Sequence, residues 1–369
     1  MITIISCSHY PDDERIYHKE IKTLAEKRYS INYFTLSESE QNLSDENINH
    51  INYSSAEHTI KDYMDLVKLE IRRTSTRVIH IHEPELFSLA VNIKKMTGAK
   101  IIYDVHEDYI SMIYTFSKWN KYIKYLKAKY WLLKEKYFLQ HVDEVIIASS
   151  TIVNSDFKIQ GFSPVLLENF PSNTLVGDID FKHKKKNSLI YHGNMGPERG
   201  IVELIEAMNH VIKIKSDVTL SLIGGFRTID YKNEVNSKID MLGIRKHISL
   251  KGHILHQNIW GHLAKHTVGI IPFNENPLTQ INTPTKLFEF MASGCQLVVP
   301  SLMPITKYDF KAVKFFKSGD IMNLSDAIIK SLESNDQDGI EYNFNKVRSD
   351  YNWENNSYKL IDLYDRVLS

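Results

Sequence analysis

Glu289 is the residue of this sequence that most needs a partner. It stands in Pro284-Thr285-Lys286-Leu287-Phe288-Glu289-Phe290-Met291-Ala292-Ser293-Gly294, which reads as a short helix with proline in its first turn and glycine at its end. The helix face around Glu289 is mostly apolar, and a carboxylate there is costly unless something hydrogen-bonds to it. Sugar hydroxyls, such as the two on a nucleotide ribose, are suitable donors. Lys286, one turn earlier, adds a cation. Asn282-Thr283 forms the loop that leads in.

A second group is Tyr191-His192-Gly193-Asn194-Met195-Gly196-Pro197-Glu198-Arg199-Gly200. It joins a strand to a helix, and its glycines let backbone approach an anion while the helix presents unpaired N–H groups. Arg199 can add a bidentate contact to phosphate. The bland alternative is an ordinary tight turn. Gly224-Gly225 ends another strand and is a further candidate for nucleotide contact. Third is Tyr103-Asp104-Val105-His106-Glu107-Asp108, where acidic residues suit a helix start but a central histidine is left unexplained. His82-Glu83-Pro84-Glu85-Leu86 follows another strand, with proline and acid at a helix start. His9-Tyr10-Pro11-Asp12-Asp13-Glu14-Arg15 follows the first strand; Asp13 or Arg15 could touch a substrate, and a plain helix cap is the alternative.

These groups fall at the ends of apolar runs that alternate with amphipathic stretches, the pattern of parallel α/β architecture. The expected strands are 2–7, 30–35, 78–82, 100–104, 144–148 and 164–170, then 189–192, 218–223, 248–251, 268–271 and 296–299. Expected helices are 14–27, 60–73, 84–97 and 120–140, then 200–214, 228–241, 257–265 and 284–293, with a helical tail from 351 to 368. The alternation restarts after a polar stretch that contains the basic run 182–186. Four segments result: an N-terminal domain 1–170, a linker 171–187, a second domain 188–350 and a terminal helix 351–369. Two such doubly wound sheets would place ligands at the carboxyl ends of their strands.

The 369 residues suit two domains, and 45 basic against 45 acidic residues gives no argument for nucleic acid. Cys7 and Cys295 are the only cysteines, as expected of reduced, buried thiols in the cytoplasm. The N-terminus reads as a strand rather than a signal peptide. No apolar run approaches a membrane span. No Asp-x-Asp motif precedes the candidate site, so no tightly held metal and no cofactor is expected.

The stretch from Asn282 to Pro300 resembles the donor-site segment of retaining family-4 glycosyltransferases, Pro-x-Lys-x-x-Glu-x-Met-Ala-x-Gly-x-Pro-Val-Val. One branch of that family also carries Asp-x-Arg-Ile, His-Asp/Glu-Pro-Glu-Leu and Asp-Val-His-Glu, and this chain has all three. The resemblance implies a GT-B fold, with two Rossmann-like parallel-sheet domains facing a central cleft and the last helix crossing back to the first domain. It implies transfer of a hexosyl unit from a UDP- or GDP-sugar, with retention, in bacterial cell-surface polysaccharide (O-antigen or capsule) synthesis. Glu289 would bind ribose, and Arg199 and Lys286 the diphosphate. His106 would lie against the sugar, while Gly193, Asn194, Gly224, Gly225, Asn282, Thr283, Pro284 and Leu287 would line the donor. Asp13, Arg15, Glu83 and Glu107 would lie on the acceptor side. Asn194 and Ile281 depart from the family, standing where an arginine and a first glutamate are expected. A nucleotide-sugar 2-epimerase and a non-catalytic GT-B-like partner subunit are the rival readings.

One segment stands outside that account. From Ser117 to Gln140, lysines at 118, 121, 124, 127, 129, 134 and 136 interleave with Trp119, Tyr122, Tyr125, Tyr130, Trp131, Tyr137 and Phe138. Such a helix suits an anionic membrane surface or, equally, an aromatic face packed on its own domain. The first alternative fits a glycan or polyprenyl-linked acceptor at the inner face of the plasma membrane.

Overall fold

A computed structural model describes residues 1–152, 161–176 and 184–369. It divides into one unit of Met1–Asn169 with Trp353–Ser369 and a second of Phe170–Asn352. Of the expected linker 171–187 and its basic run, residues 177–183 lie outside the described residues.

The first unit is a seven-stranded sheet: β1 (Ile2–Ile5), β2 (Ile31–Leu36), β3 (Ile48–Tyr53), β4 (Val78–Ile81), β5 (Lys100–Val105), β6 (Glu144–Ile147) and β7 (Val165–Leu166). The order is β3-β2-β1-β4-β5-β6-β7, and every pairing is parallel. Parallel strands are covered on both faces and so read as unbroken apolar runs; β1, β2 and β4 are buried at every position. The strand order reverses between β1 and β4. A crevice opens at the carboxyl ends of such a pair, and the loops there carry His9–Arg15, His82–Glu83 and Asp104–Glu107. The expected helix 14–27 is a π-helical turn, Ile16–Ile21, that runs into an α-helix, Lys22–Glu26. The wider turn carries both Lys19 and Glu20 inward. The terminal helix Trp353–Leu368 is tied to this unit by Trp353 Nε1 donating to Thr23 Oγ1 at 2.9 Å and by Tyr364 at 2.8 Å from His80.

The second unit contains β8 (Lys185–His192), β9 (Thr219–Ile223), β10 (Ile248–Lys251), β11 (His266–Ile270), β12 (Gln296–Pro300) and β13 (Val313–Phe316). They run parallel in the order β10-β9-β8-β11-β12-β13. The reversal falls between β8 and β11, and the glycine-rich turn follows β8.

Among the described residues, elements not expected from the sequence include β3, β13 and the helices Tyr109–Phe116, Met303–Thr306, Ile321–Glu333 and Gln337–Ser349. β3 is an edge strand that alternates Asn49, His50 and Asn52 with isoleucines, so it lacks an apolar run. Its polar groups are met by β2, with Thr35 Oγ1 2.9 Å from His50 Nε2 and 2.7 Å from Asn52 Oδ1.

Candidate active site

In the second unit, two backbone turns close on each other at the strand ends. Gly193 N–H donates to Ile223 O at 2.9 Å, Met195 N–H to Gly225 O at 2.8 Å, and Arg227 N–H to Met195 O at 2.9 Å. The approach demands glycine: Gly224 has φ +138°, and a Cβ on it would lie 2.2 Å from Gly193 O. A Cβ on Gly193 would lie 3.1 Å from Lys286 Nζ, so the lysine ammonium stands directly over the turn.

Lys286 is nearly buried, with Nζ 4.9 Å from the ring centroids of both Tyr191 and Phe273. The Arg199 guanidinium lies 4.5 Å from Phe273 as well. Burial, and then the Arg199 charge, lower Lys286 to about 7. Two cations crowded in a poorly hydrated place are relieved by an anion. Glu198 is the carboxylate between two guanidiniums. Its Oε1 is 2.6 Å from Arg227 Nη2 and 3.2 Å from Arg199 Nε, the latter within ion-pair distance but poorly aligned for a hydrogen bond.

Glu289 belongs to the helix Lys286–Ala292, buried along its whole length. His256 Nε2 lies 2.6 Å from Oε1, and His192 Nε2 lies 2.9 Å from Oε2. Burial opposes the charge, but the two imidazoles hold this carboxyl well below the usual carboxylate range. The contact with His192 is short but misaligned, which leaves buried Oε2 without a hydrogen-bond partner among the described residues. Asn282 Oδ1 is buried and unpartnered in the same way. Two acceptors of this kind in one loop-and-helix segment suit hydroxyl donors.

Not every expected donor residue presents a side chain here. Leu287 is wholly buried in the apolar core of the unit, so only its backbone is available, and its N–H donates to Pro284 O at 3.0 Å. Pro284 is buried too. Thr283 Oγ1 lies 3.3 Å from Tyr308 Oη. Asn194 is exposed, and its carbonyl accepts from Tyr191 Oη at 2.7 Å. His192, His256, Glu198 and Arg227 belong to the arrangement and were not expected as site residues.

In the first unit, two of the expected acceptor-side residues, Arg15 and Glu83, turn inward. Arg15 is 4% exposed and grips Asp104 by Nη2 at 3.0 Å to both carboxylate oxygens; Nη1 donates to Leu167 O at 2.6 Å. Its Nε also lies 3.0 Å from Glu20 Oε1. A guanidinium held by three buried acceptors cannot reach a substrate, and the acceptor-side role of Arg15 is therefore corrected. Glu83 is likewise buried. Its Oε1 accepts from Ser6 Oγ (2.7 Å) and the amides of Cys7 (3.2 Å) and Ser8 (2.9 Å), and lies 2.8 Å from His9 Nδ1. Burial opposes its ionisation, but these bonds, that of His9 foremost, bring it down to about 2. Glu83 holds the loop after β1 and does not face outward. Asp13 Oδ1 accepts from the amides of Arg15 and Ile16, both at 2.9 Å, which is the cap alternative. Glu107 is half-buried on the loop after β5, near enough for its charge to act on His9.

His106 is the group this network presents. Its Nε2 lies 3.1 Å from Asp104 Oδ2 and 3.0 Å from His82 Nδ1. Both contacts are satisfied if Nε2 carries the proton, donating to Asp104 while His82 Nδ1 accepts, and His106 Nδ1 is then left as an acceptor. Burial keeps His82 and His80 neutral, their pKa values lowered. Burial and the neighbouring Asp104 raise Glu20, whereas Arg15 holds Asp104 low against burial. The Arg15 guanidinium thus offsets the charge of Asp104 in the interior.

Glu20, His80, His82 and Asp104 bring potential metal-ligand atoms within 4.8 Å of one another. The Arg15 guanidinium already contacts both carboxylates. It supplies the positive charge that a cation would bring, so these residues do not fit a metal.

Residues 186–334 match the family model described as glycosyl transferases group 1. That match covers 149 of the 369 residues and lies within the second unit; it supports an enzyme of the transferase class. The chain also matches solved structures along its whole length. Sucrose-phosphate synthase from Thermosynechococcus elongatus is 15% identical, with 100% of this chain and 98% of that one covered, at a TM-score of 0.79. HepE of Anabaena in complex with UDP and glucose is 14% identical, with 99% of each chain covered, at 0.77. A glycosyltransferase from Rickettsia africae ESF-5 is 14% identical, with 100% and 99% covered, at 0.73. Such identities carry the fold alone: the chain has the GT-B fold. No curated protein sequence matches.

Proposed function

We propose that this protein is a retaining glycosyltransferase that moves a hexosyl unit from a UDP- or GDP-sugar to a glycan or polyprenyl-linked acceptor, in bacterial surface-polysaccharide synthesis. The observation that carries the donor reading is the pairing of Glu289 with Lys286. A buried carboxylate oxygen that lacks a hydrogen-bond partner among the described residues lies one helical turn from a buried ammonium poised over a glycine turn. A nucleoside diphosphate meets both needs, with ribose hydroxyls for Glu289 and phosphate oxygens for Lys286 and Arg199. The group 1 match over the same unit supports it, and the neighbour HepE is solved with UDP-glucose.

In the proposed reaction the bond between the sugar's anomeric carbon and the diphosphate oxygen breaks, and the acceptor hydroxyl oxygen bonds to that carbon. The acceptor proton passes to the departing phosphate. Negative charge gathers on the diphosphate as this happens, and fixed cations with helix N–H groups stabilise it. His106, aligned by Asp104, is the first-unit residue assigned to the transferred sugar. A panel of UDP- and GDP-sugars, assayed for nucleotide release with lipid-linked and glycan acceptors, tests the reading. Release from none of them would reject it.

The lysine-rich helix supports an acceptor at a membrane surface. In Lys121–Leu139 only Ala128, Glu135 and Leu139 are buried. Trp131 stacks on Tyr109 at 4.6 Å and Phe138 on Phe87 at 4.8 Å, so those two rings pack on the unit. Tyr122, Leu126, Tyr130 and Leu133 are each 65–70% exposed among the lysines. Aromatic and leucine side chains beside ammonium groups suit an anionic headgroup layer. No helix among the described residues is long and apolar enough to cross a membrane. Exchanging Lys121, Lys127, Lys129 and Lys134 for glutamine should release the protein from phosphatidylglycerol vesicles. Unchanged co-sedimentation would refute the membrane contact.

A further inference from the structure

Two imidazoles stand side by side in the loops after β1 and β5. The rings of His9 and His106 lie 5.0 Å apart, edge to face. Each is held through one nitrogen by a buried carboxylate: His106 Nε2 lies 3.1 Å from Asp104 Oδ2, and His9 Nδ1 lies 2.8 Å from Glu83 Oε1. Glu83, brought down to about 2, is ionised at neutral pH. Its oxygen accepts, so His9 Nδ1 carries the hydrogen. Nε2 is then the outward nitrogen of His9, with no hydrogen bond among the described residues. The His9 side chain is 28% exposed, against 4% for Glu83.

Glu83 does not depend on His9 for its own satisfaction. Ser6 Oγ and the amides of Cys7 and Ser8 already donate to the same oxygen. The pairing instead fixes the imidazole, because a carboxylate behind a histidine sets its tautomer and the direction of its ring. A fixed, part-exposed nitrogen beside the residue assigned to the transferred sugar suits a substrate atom. Which atom follows from the surrounding charge. Besides Glu83, the carboxylates of Asp13 and Glu107 act on His9. Three carboxylates disfavour a phosphate there, whereas an uncharged hydroxyl is not repelled. A hydroxyl also both donates and accepts, so it bonds to Nε2 whether the ring is neutral or protonated. We propose that His9 is an acceptor-binding residue, its Nε2 hydrogen-bonded to a hydroxyl of an uncharged acceptor sugar. This inference rests on the transferase reading above and narrows its acceptor.

Amide side chains separate the two nitrogens: that of His9→Asn reaches the Nδ1 position, and that of His9→Gln the Nε2 position. The full chain and both variants are assayed at saturating UDP- or GDP-sugar, whichever the wild type uses, with melting curves alongside. Octyl glucoside, octyl galactoside and octyl mannoside are the uncharged probes, and farnesyl phosphate is the anionic one. H9N keeps a donor for Glu83 and should melt as wild type does. Its kcat/KM for the glycoside should fall roughly tenfold, the worth of one hydrogen bond to substrate, while its KM for the nucleotide sugar stays within about twofold. H9Q should exceed H9N on the glycoside although it melts lower. If His9 only steadied Glu83, H9N would match wild type and H9Q would be the weaker enzyme, and either result overturns the proposal. Nucleotide release that no glycoside accelerates, or transfer to farnesyl phosphate alone, overturns it as well. If no UDP- or GDP-sugar yields nucleotide at all, the transferase reading falls and this inference with it.

Discussion

Donor binding should take up a proton, because Lys286 is the most electrostatically stressed cation of the second unit. Burial and Arg199 bring it from 10.5 to about 7 in the empty protein. A diphosphate placed against Nζ favours the charged form, and each opposite charge at such range raises a lysine pKa by about 1–3. The bound lysine therefore stays protonated past pH 9. At pH 8 the empty protein has lost about nine-tenths of a proton from this site, which binding restores. Diphosphate affinity should accordingly weaken as pH rises, by roughly 40-fold between pH 7 and pH 9. Phosphate groups themselves ionise near pH 6, so this window isolates the lysine. Titration calorimetry at pH 8 in two buffers of different ionisation enthalpy counts the proton directly. Lys286→Met should lose both the uptake and the pH slope. The stability of the empty protein moves the other way. Its native state binds fewer protons than the unfolded chain between about pH 7 and 10.5, so stability is least below that window and rises through it. Removing the buried amine should stabilise the empty protein at pH 7 by no more than about 4 kcal/mol, since each tenfold loss of proton affinity is worth about 1.36 kcal/mol. Buffer-independent heats, together with an affinity flat from pH 7 to 9, would refute the account of Lys286.

Glu289→Gln keeps the shape of the side chain but removes its charge. Charged hydrogen bonds are worth about 1.5–3 kcal/mol each, so kcat/KM for the donor should fall roughly 10- to 150-fold. Wild type should also lose affinity for 2′- or 3′-deoxy nucleotides where E289Q does not; equal discrimination by both proteins would separate Glu289 from the ribose. Arg15→Met leaves Asp104 buried without its guanidinium and should cost about 3–5 kcal/mol in urea unfolding. A loss of activity at unchanged stability would return Arg15 to a surface role. Glu83 contributes stability above its unfolded pKa near 4.5, which is lost as pH falls toward about 2. Glu83→Gln should therefore flatten acid unfolding across that interval, followed by far-ultraviolet circular dichroism.

The parts of the fold that were legible in the sequence are those in which one segment satisfies itself. Strands such as Ile2–Ile5 and Gln296–Pro300 are mostly apolar and buried at every position, and a helix such as Ile201–Ile214 has one apolar face. β3 was illegible because its stability is lent by β2, through side-chain bonds to His50 and Asn52 that no local pattern records. The same division runs through the site. Lys286 and Glu289 share one helix, and Arg199 closes one glycine turn, so spacing exposed them. His256 lies 33 residues from the carboxylate it meets, and Arg227 lies 29 from Glu198. Nothing in the local sequence joins either pair.

Arg15 shows why a correct motif can still suggest the wrong role. Its partner Asp104 is 89 residues away, and a sequence cannot tell an arginine that waits for an anion from one that has found it. The two units differ in this respect. In the first, Arg15 meets Asp104 and Glu20 inside the protein, and the product of that closure is the fixed orientation of His106. In the second, Lys286 and Arg199 crowd together at a glycine turn, with an oxygen of Glu289 nearby that lacks a hydrogen-bond partner among the described residues. Closed charge holds a side chain in place, whereas unbalanced charge costs stability until a ligand completes it. On the proposed donor reading, the stress on Lys286 is binding energy held in reserve by the empty second unit.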